Sequence, residues 1–213
     1  MSHPSPRCAV VIAVKSRGRG KSHLAGCLAD AQRIALIRAM LKQVLEASCA
    51  ARSVEATWVV SPERDTVPSA IPVLRDEGMG MNEAFALARE RLREAGMQTI
   101  VALPADLPQI SAADLDELVL AAGRGVAIAP DLGGSGTNAL VSPLELPLRF
   151  CFGPDSRRLH TEEARRLGVE PVIVLRPGIS FDVDLPEDLV QLRRLPDGMV
   201  GSGPVSLPAG DRS

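Results

Sequence analysis

Aromatic side chains are scarce in this sequence: there is no tyrosine, one tryptophan (Trp58) and four phenylalanines, together 2% of 213 residues. So few rings exclude a base-stacking platform of the single-strand-binding kind, and the core has to be built from Leu, Val, Ile and Ala. Neither sign of charge prevails. With 24 Lys and Arg against 26 Asp and Glu, the net charge is −2 and the isoelectric point about 6.0. That balance carries no electrostatic footprint for nucleic acid or an anionic membrane surface, so neither is expected as a partner and any anion must be held by local groups. Cys8, Cys27, Cys49 and Cys151 show no CxxC spacing and no neighbouring His pairs. This excludes a zinc site or disulfide framework and fits free thiols in a reducing cytosol. No apolar run approaches a membrane span, and residues 1–7 lack the apolar core of a signal peptide. A soluble, cytoplasmic protein is the expectation.

What is present is 46% hydrophobic and 23% charged residues, enough to bury one sizeable core. The expectation is a single α/β domain over residues 8–195 with flexible ends at 1–7 and 196–213, the latter rich in Pro, Gly and Ser. Residues 8–14 (CAVVIAV), 98–105 and 125–130 are continuous apolar runs, the pattern of strands buried on both faces of a parallel sheet. Further strands are read at 55–61, 71–74, 139–142 and 171–175. Helices are read after Asp30, over 83–95 with Asn82 as cap, after Ser111, after Ser156 as cap, and over 186–195. Strands alternating with helices make a mostly parallel central sheet flanked by helices.

Residues 129–140 (APDLGGSGTNAL) form a glycine-rich hinge between two strand-like runs. Gly133, Gly134 and Gly136 leave backbone N–H groups free to face an anion, while an ordinary inter-strand loop is the plainer reading. The first strand runs into residues 15–24, a basic loop containing Lys15, Arg19 and Lys21. Gly20-Lys21-Ser22 ends like a P-loop, but GxxxxGK(S/T) needs glycine where Lys15 stands, so its cradle lacks the first turn. Lys15, Arg19 and Lys21 can instead meet a triphosphate as point charges, or form a solvated basic loop. Gly80-Met81-Asn82 is a helix-start corner, in which Asn82 is a plain cap or a holder of ribose or base.

Asp106, in Leu103-Pro104-Ala105-Asp106-Leu107-Pro108, follows a buried strand and is bracketed by prolines that stop helix or ladder. It projects at the carboxyl edge of the sheet, where α/β folds bind ligands. Asp182 and Asp184 alternate with apolar residues and share one face of an extended segment, although Asp184 can equally cap the last helix. Two such carboxylates about 4 Å apart repel by roughly 4 kcal/mol at an effective dielectric near 20, so a cluster of the three calls for a cation. Mg2+ bound together with substrate phosphates answers that need.

In order, Val14-Lys15 with Lys21-Ser22-His23-Leu24-Ala25, Gly80-Met81-Asn82, the Asp106 segment, Gly136-Thr137-Asn138-Ala139-Leu140, Phe152-Gly153-Pro154-Asp155-Ser156 and Asp182 to Leu189 resemble one family. It is the guanylyltransferases of coenzyme F-420 biosynthesis that act on 2-phospho-L-lactate, phosphoenolpyruvate or 3-phospho-D-glycerate, and the likeness covers about residues 9–195. The resemblance implies a Rossmann-like nucleotidyltransferase fold of the kind shared with molybdenum-cofactor guanylyltransferases. It implies that Thr137, Gly153 and Ser156 hold the phosphorylated acid, and that Asp106, Asp182 and Asp184 gather Mg2+. Lys15 and Lys21 would face the triphosphate of GTP, and Gly80 with Asn82 the nucleoside. His23 stands where the family usually has arginine, with Arg17 or Arg19 as substitutes. Two alternatives stay open from the residues: a nucleotidyltransferase with another acceptor, such as a sugar phosphate or the molybdenum cofactor, and a non-catalytic domain binding GTP or a phospho-acid. A homodimer is left open as well.

Overall fold

The computed structural model describes residues 6–14, 22–65, 67–78 and 80–193. Lys15, Arg17, Arg19, Lys21 and the tail 196–213 lie outside the described residues.

The strands are β1 (Cys8–Ala13), β2 (Ala56–Val60), β3 (Val73–Leu74), β4 (Thr99–Pro104), β5 (Ala127–Pro130), β6 (Thr137–Pro143) and β7 (Val172–Ile173). They form one mixed seven-stranded sheet in the order β3-β2-β1-β4-β6-β5-β7. Neighbours run parallel except on both sides of β6, which is antiparallel to β4 and β5. The exception has a local cause: the short loop 131–136 joins β5 to β6, and a connection that short can only return the chain antiparallel. The central strands β1, β4, β5 and β6 are buried on both faces, as the unbroken apolar runs require, while the edge strands β3 and β7 are partly exposed. In β1, Val10 and Ile12 pack into one layer while Ala9 and Val11 pack into the other.

Helices α1 (Asp30–Ala50), α3 (Ala112–Ala122) and the short α5 (Pro177–Ser180) cover the first face. The other is covered by α2 (Met81–Glu94) and α4 (Ser156–Arg166). Phe85 and Leu92 of α2 are fully buried, a gain of about 1.5–3 kcal/mol each. A smaller core packs Leu24 and Leu28 and the start of α1 against Phe181, Val183 and Leu189, the last on α6 (Pro186–Arg193).

Ser111 caps α3 as expected, accepting from Asp114 N–H at 3.2 Å while the Asp114 carboxylate takes the Ser111 N–H at 3.0 Å. Three other caps differ from the sequence reading. Ala29 precedes α1, and Asp30 is its first residue, paired with Arg33 at 2.9 Å. Gly80, with φ +116°, precedes α2, so the helix begins before Asn82. Asp155, left-handed at φ 57°, precedes α4, and Ser156 is inside the helix. In each case a neighbour with suitable backbone geometry takes the cap position and frees the polar side chain. The helix α5 was not expected from the sequence; at four residues it is too short to show periodicity.

Candidate active site

Parallel strands end together, so the carboxyl ends of β1, β2, β3 and β4 share one edge. The antiparallel β6 starts at that same edge, bringing Thr137 and Asn138 level with the end of β4. Asp106, Gly80, the 131–136 loop and the segment after α5 all stand along it.

On the β1–β3 side lies a cavity of about 460 Å³ whose walls include Val14, Val60, Pro62, Asp76, Gly80 and Met81. This is the size and character of a small-molecule pocket. Burial pushes the Asp76 carboxyl above its usual range, opposed by the backbone N–H of Gly78. One Asp76 carboxylate oxygen is buried with no hydrogen-bond partner among the described residues. Sequence reasoning gave Asp76 no role; the available signal was an acid after a short strand and just before a Gly-x-Gly corner.

The other side is built around residues 150–156. Asn82 neither caps α2 nor points along the helix. Its side-chain amide donates to Phe152 C=O at 3.1 Å and its Oδ1 accepts Phe152 N–H at 2.7 Å, pairing with that backbone as a strand would. Few as the aromatics are, three of them gather here: Phe85 lies 5.5 Å from Phe150 and 4.9 Å from Phe152. Arg89 sits 4.9 Å over the Phe150 ring and donates to the Leu148 carbonyl. Glu163, 3% exposed, accepts the Arg149 N–H at 3.1 Å and pairs with Arg166 at 2.8 Å. First the Arg166 hydrogen bond, then the Arg149 contacts, hold its carboxyl down at about 2 against the opposing effect of burial.

Gly153 has φ +129°, a conformation that L side chains rarely adopt, and it turns the chain into α4. Ser156 is buried at the first turn. The glycine-rich loop is stitched to the same helix start: Arg157 N–H donates to Ser135 C=O at 3.0 Å and the Arg157 guanidinium to Gly134 C=O at 3.0 Å. Ser156 N–H donates to Gly153 C=O at 3.2 Å, so the loop that leads into Thr137 and the Gly153–Ser156 turn meet at the start of α4. Gly136 is held by close approach, since a Cβ there would lie 2.6 Å from Asp131 Oδ2.

A β-bulge sets where Thr137 points. Ala139 and Val141 face the α1/α3 layer and Leu140 the α2/α4 layer. Continued alternation would send Thr137 to the α1/α3 layer. Pro130, which has no N–H to give the ladder, pairs with Thr137 after a register shift that leaves Asn138 extra. The parity inverts. Thr137 Oγ1 meets His160 Nδ1 of α4 at 3.0 Å, while Asn138 donates to Ile179 C=O at 2.9 Å beneath α5.

Asn138 also reaches Asp182 Oδ1 at 3.4 Å, which orients that carboxylate at the sheet edge. Phe181 and Val183 are buried in the small core, so Asp182 and the exposed Asp184 turn away from it, as the alternation predicts. Just before α6 the Asp188 carboxylate takes the Asp184 and Leu185 N–H groups at 2.8 and 2.6 Å, which fixes the turn into the helix. Among the described residues, no three His, Cys, Asp or Glu side chains come close enough to hold a metal ion by themselves. The three-carboxylate cluster is thus not preformed. Its chemistry still suits Mg2+, which takes one or two carboxylates and completes its octahedron with water and substrate phosphates. All four cysteines are free, and among the described residues no helix is long and apolar enough to cross a membrane.

Comparison with known proteins bears on the fold and the family. The chain is 39% identical over 188 residues to the phosphoenolpyruvate guanylyltransferase of Rubrobacter xylanophilus, covering 85% of this chain and 91% of that one. It is 34% identical over 200 residues to the 3-phospho-D-glycerate guanylyltransferase of Phenylobacterium zucineum, covering 88% and 90%. Among solved structures, a 4-diphosphocytidyl-2C-methyl-D-erythritol synthase superposes with a TM-score of 0.62 at 17% identity, covering 89% of this chain and 98% of that one, a likeness of fold. A family model described as guanylyl transferase, CofC like, matches residues 8–198. By that match, and by its identity to these relatives, the chain belongs to the family of CofC-like guanylyl transferases.

Proposed function

We propose that this protein transfers GMP from GTP to a small phosphorylated acid of the phosphoenolpyruvate, 3-phospho-D-glycerate or 2-phospho-L-lactate type, releasing pyrophosphate, as a step of coenzyme F-420 biosynthesis in the cytoplasm. The observation that carries the reading is the pairing of two sites on one sheet edge. A cavity with a carboxylate wall stands on one side, and on the other are Thr137, bonded to His160, and the Gly153–Ser156 turn, which we read as the acceptor clamp. The names of the relatives support GMP transfer over the sugar-phosphate, molybdenum-cofactor and non-catalytic alternatives.

The nucleoside belongs in the cavity. Its apolar walls suit a purine, and the Asp76 carboxylate complements the N1–H and N2–H donors of guanine while opposing the N1 lone pair of adenine. Gly80 lines this cavity, whereas Asn82 serves the site through Phe152. Lys15 and Lys21 would neutralise the triphosphate. The acid lies in the clamp with its phosphate turned toward GTP. One of its phosphate oxygens attacks the α-phosphorus in line, the bond to the oxygen bridging α- and β-phosphorus breaks, and pyrophosphate leaves with that electron pair. A phosphate oxygen is already ionised near neutral pH, so no general base is assigned. Asp106, Asp182 and Asp184 would hold Mg2+ with one or two carboxylates to an ion and the phosphates completing its shell, and the metal would supply neutralisation of charge as it builds. The chain's own contribution is to align two polyanions and exclude other geometries.

Pyrophosphate release from GTP and Mg2+ with each acid, and the product mass, test the proposal. Turnover with at least one of these acids is expected, falling by two orders of magnitude or more in Asp106→Asn and Asp182→Asn. No release with any acid sinks the enzyme reading, and near wild-type turnover in both variants sinks the metal assignment.

A further inference from the structure

His160 is fully buried and lies between the two halves of the clamp. Its ring makes two hydrogen-bond contacts and one aromatic contact. The Cys151 backbone N–H donates to Nε2 at 2.8 Å, Nδ1 lies 3.0 Å from Thr137 Oγ1, and Phe152 meets the ring edge-on at 4.9 Å. A backbone N–H is only ever a donor, so Nε2 has to present its lone pair. A neutral imidazole then carries its proton on Nδ1, and an imidazolium would set two N–H groups against each other at Nε2. With Nδ1–H donating, Thr137 Oγ1 is the acceptor of that bond. Among the described residues the hydroxyl has no other hydrogen bond, so its own proton is left to donate elsewhere.

We propose that His160 is a positioning residue of the acceptor site: its Nδ1–H tautomer, fixed by the Cys151 amide, turns the Thr137 hydroxyl into an obligate donor to an anionic oxygen of the acceptor. This rests on the placement of the acid in the Thr137, Gly153 and Ser156 clamp. The same ring ties the chain leading to Gly153, through Cys151, to the first residue of β6, so one side chain sets the spacing of both halves. Burial keeps the imidazole neutral by holding its pKa down at about 4, against the pull of Glu163. The consequence is selectivity by chemistry. A carboxylate or phosphate oxygen satisfies the Thr137 hydroxyl; a group that can only donate does not.

The test has a structural and a kinetic arm, both on the full chain. Histidine 15N correlation spectra of the wild-type protein at pH 7 report the tautomer directly, and one ring with protonated Nδ1 and bare Nε2 is expected, unchanged to pH 5.5. Steady-state kinetics then compare Thr137→Val, His160→Gln and the double variant, with phosphoenolpyruvate or whichever acid the wild type uses. Glutamine offers a carbonyl to the Cys151 N–H but no ring donor at the Nδ1 position. Each single variant should raise the acceptor KM about tenfold or more, with the GTP KM unchanged and the double no worse than Thr137→Val alone. An Nε2–H or doubly protonated ring, multiplying losses in the double variant, or equal rises in both KM values each overturn the inference. Failure of the guanylyltransferase reading itself appears in the wild-type arm, as absent turnover, and is separate from failure in the variants.

Discussion

Replacing Asn82 by alanine discriminates between a nucleoside ligand and a support for the acceptor loop. In the structure the Asn82 amide is engaged by Phe152, with bonds of 3.1 and 2.7 Å to its C=O and N–H. Each neutral hydrogen bond of this kind is worth about 1 kcal/mol net, so the pair contributes about 2 kcal/mol, the freed backbone groups being near enough to the surface to find water. For a chain of this length each kcal/mol moves the melting temperature by about 2–4 °C, which predicts a fall of roughly 4–8 °C in Asn82→Ala. Because Phe152 directly precedes Gly153, the kinetic effect should fall on the acceptor, raising its KM several-fold while the GTP KM stays put. Asn82→Asp is a sharper probe. It keeps an oxygen for the Phe152 N–H but sets a carboxylate against the Phe152 carbonyl, so it should be no more stable than the alanine variant. Scanning calorimetry and paired KM measurements read both quantities. An unchanged melting temperature together with a raised GTP KM alone would refute the argument and return Asn82 to the nucleoside.

Two more predictions follow from buried groups and close contacts. His160 is held at about 4 in the folded chain against 6.5 ordinarily, so the unfolded state takes up the proton first. The stability this represents is complete above pH 6.5 and is lost as pH falls toward 4, by about 3 kcal/mol in all. Glu163, held at about 2, extends the loss below pH 4.5. Urea midpoints between pH 7.5 and 5 should fall in the wild type and flatten in His160→Gln; parallel slopes would contradict the assignment. Gly136→Ala would put a methyl 2.6 Å from Asp131 Oδ2 and 2.9 Å from its Cγ. A loss of about 1–3 kcal/mol and a weaker acceptor are expected, with stability regained in the Asp131→Gly, Gly136→Ala double variant. A single variant that melts like the wild type would show that the loop gives way freely.

Strands β1, β4 and β5, the Ser111 cap and the face shared by Asp182 and Asp184 were legible in the sequence. Each depends on local pattern: an apolar run buried on two faces, a hydroxyl before a helix, the two-residue period of an extended chain. Thr137, Gly153 and Ser156 are named together only through family likeness, since no spacing relates residues on β6 to residues at the start of α4. Caps were misread at Asn82 and Ser156 because cap preference is a local average, whereas Gly80 and Asp155 already hold the backbone geometry that a helix start requires.

By itself, then, the sequence determined the longer elements, their burial and the edge at which ligand-binding loops collect. Tertiary structure alone decided which side chains meet there. Asn82 finds Phe152 across 70 residues, Asp182 finds Asn138 across 44 and His160 finds Thr137 across 23. The direction of Thr137 turns on a single bulged residue beside Pro130. One extra residue reverses every side chain beyond it, and period-two pattern cannot locate that residue, because the partner strand, not the strand itself, defines the register.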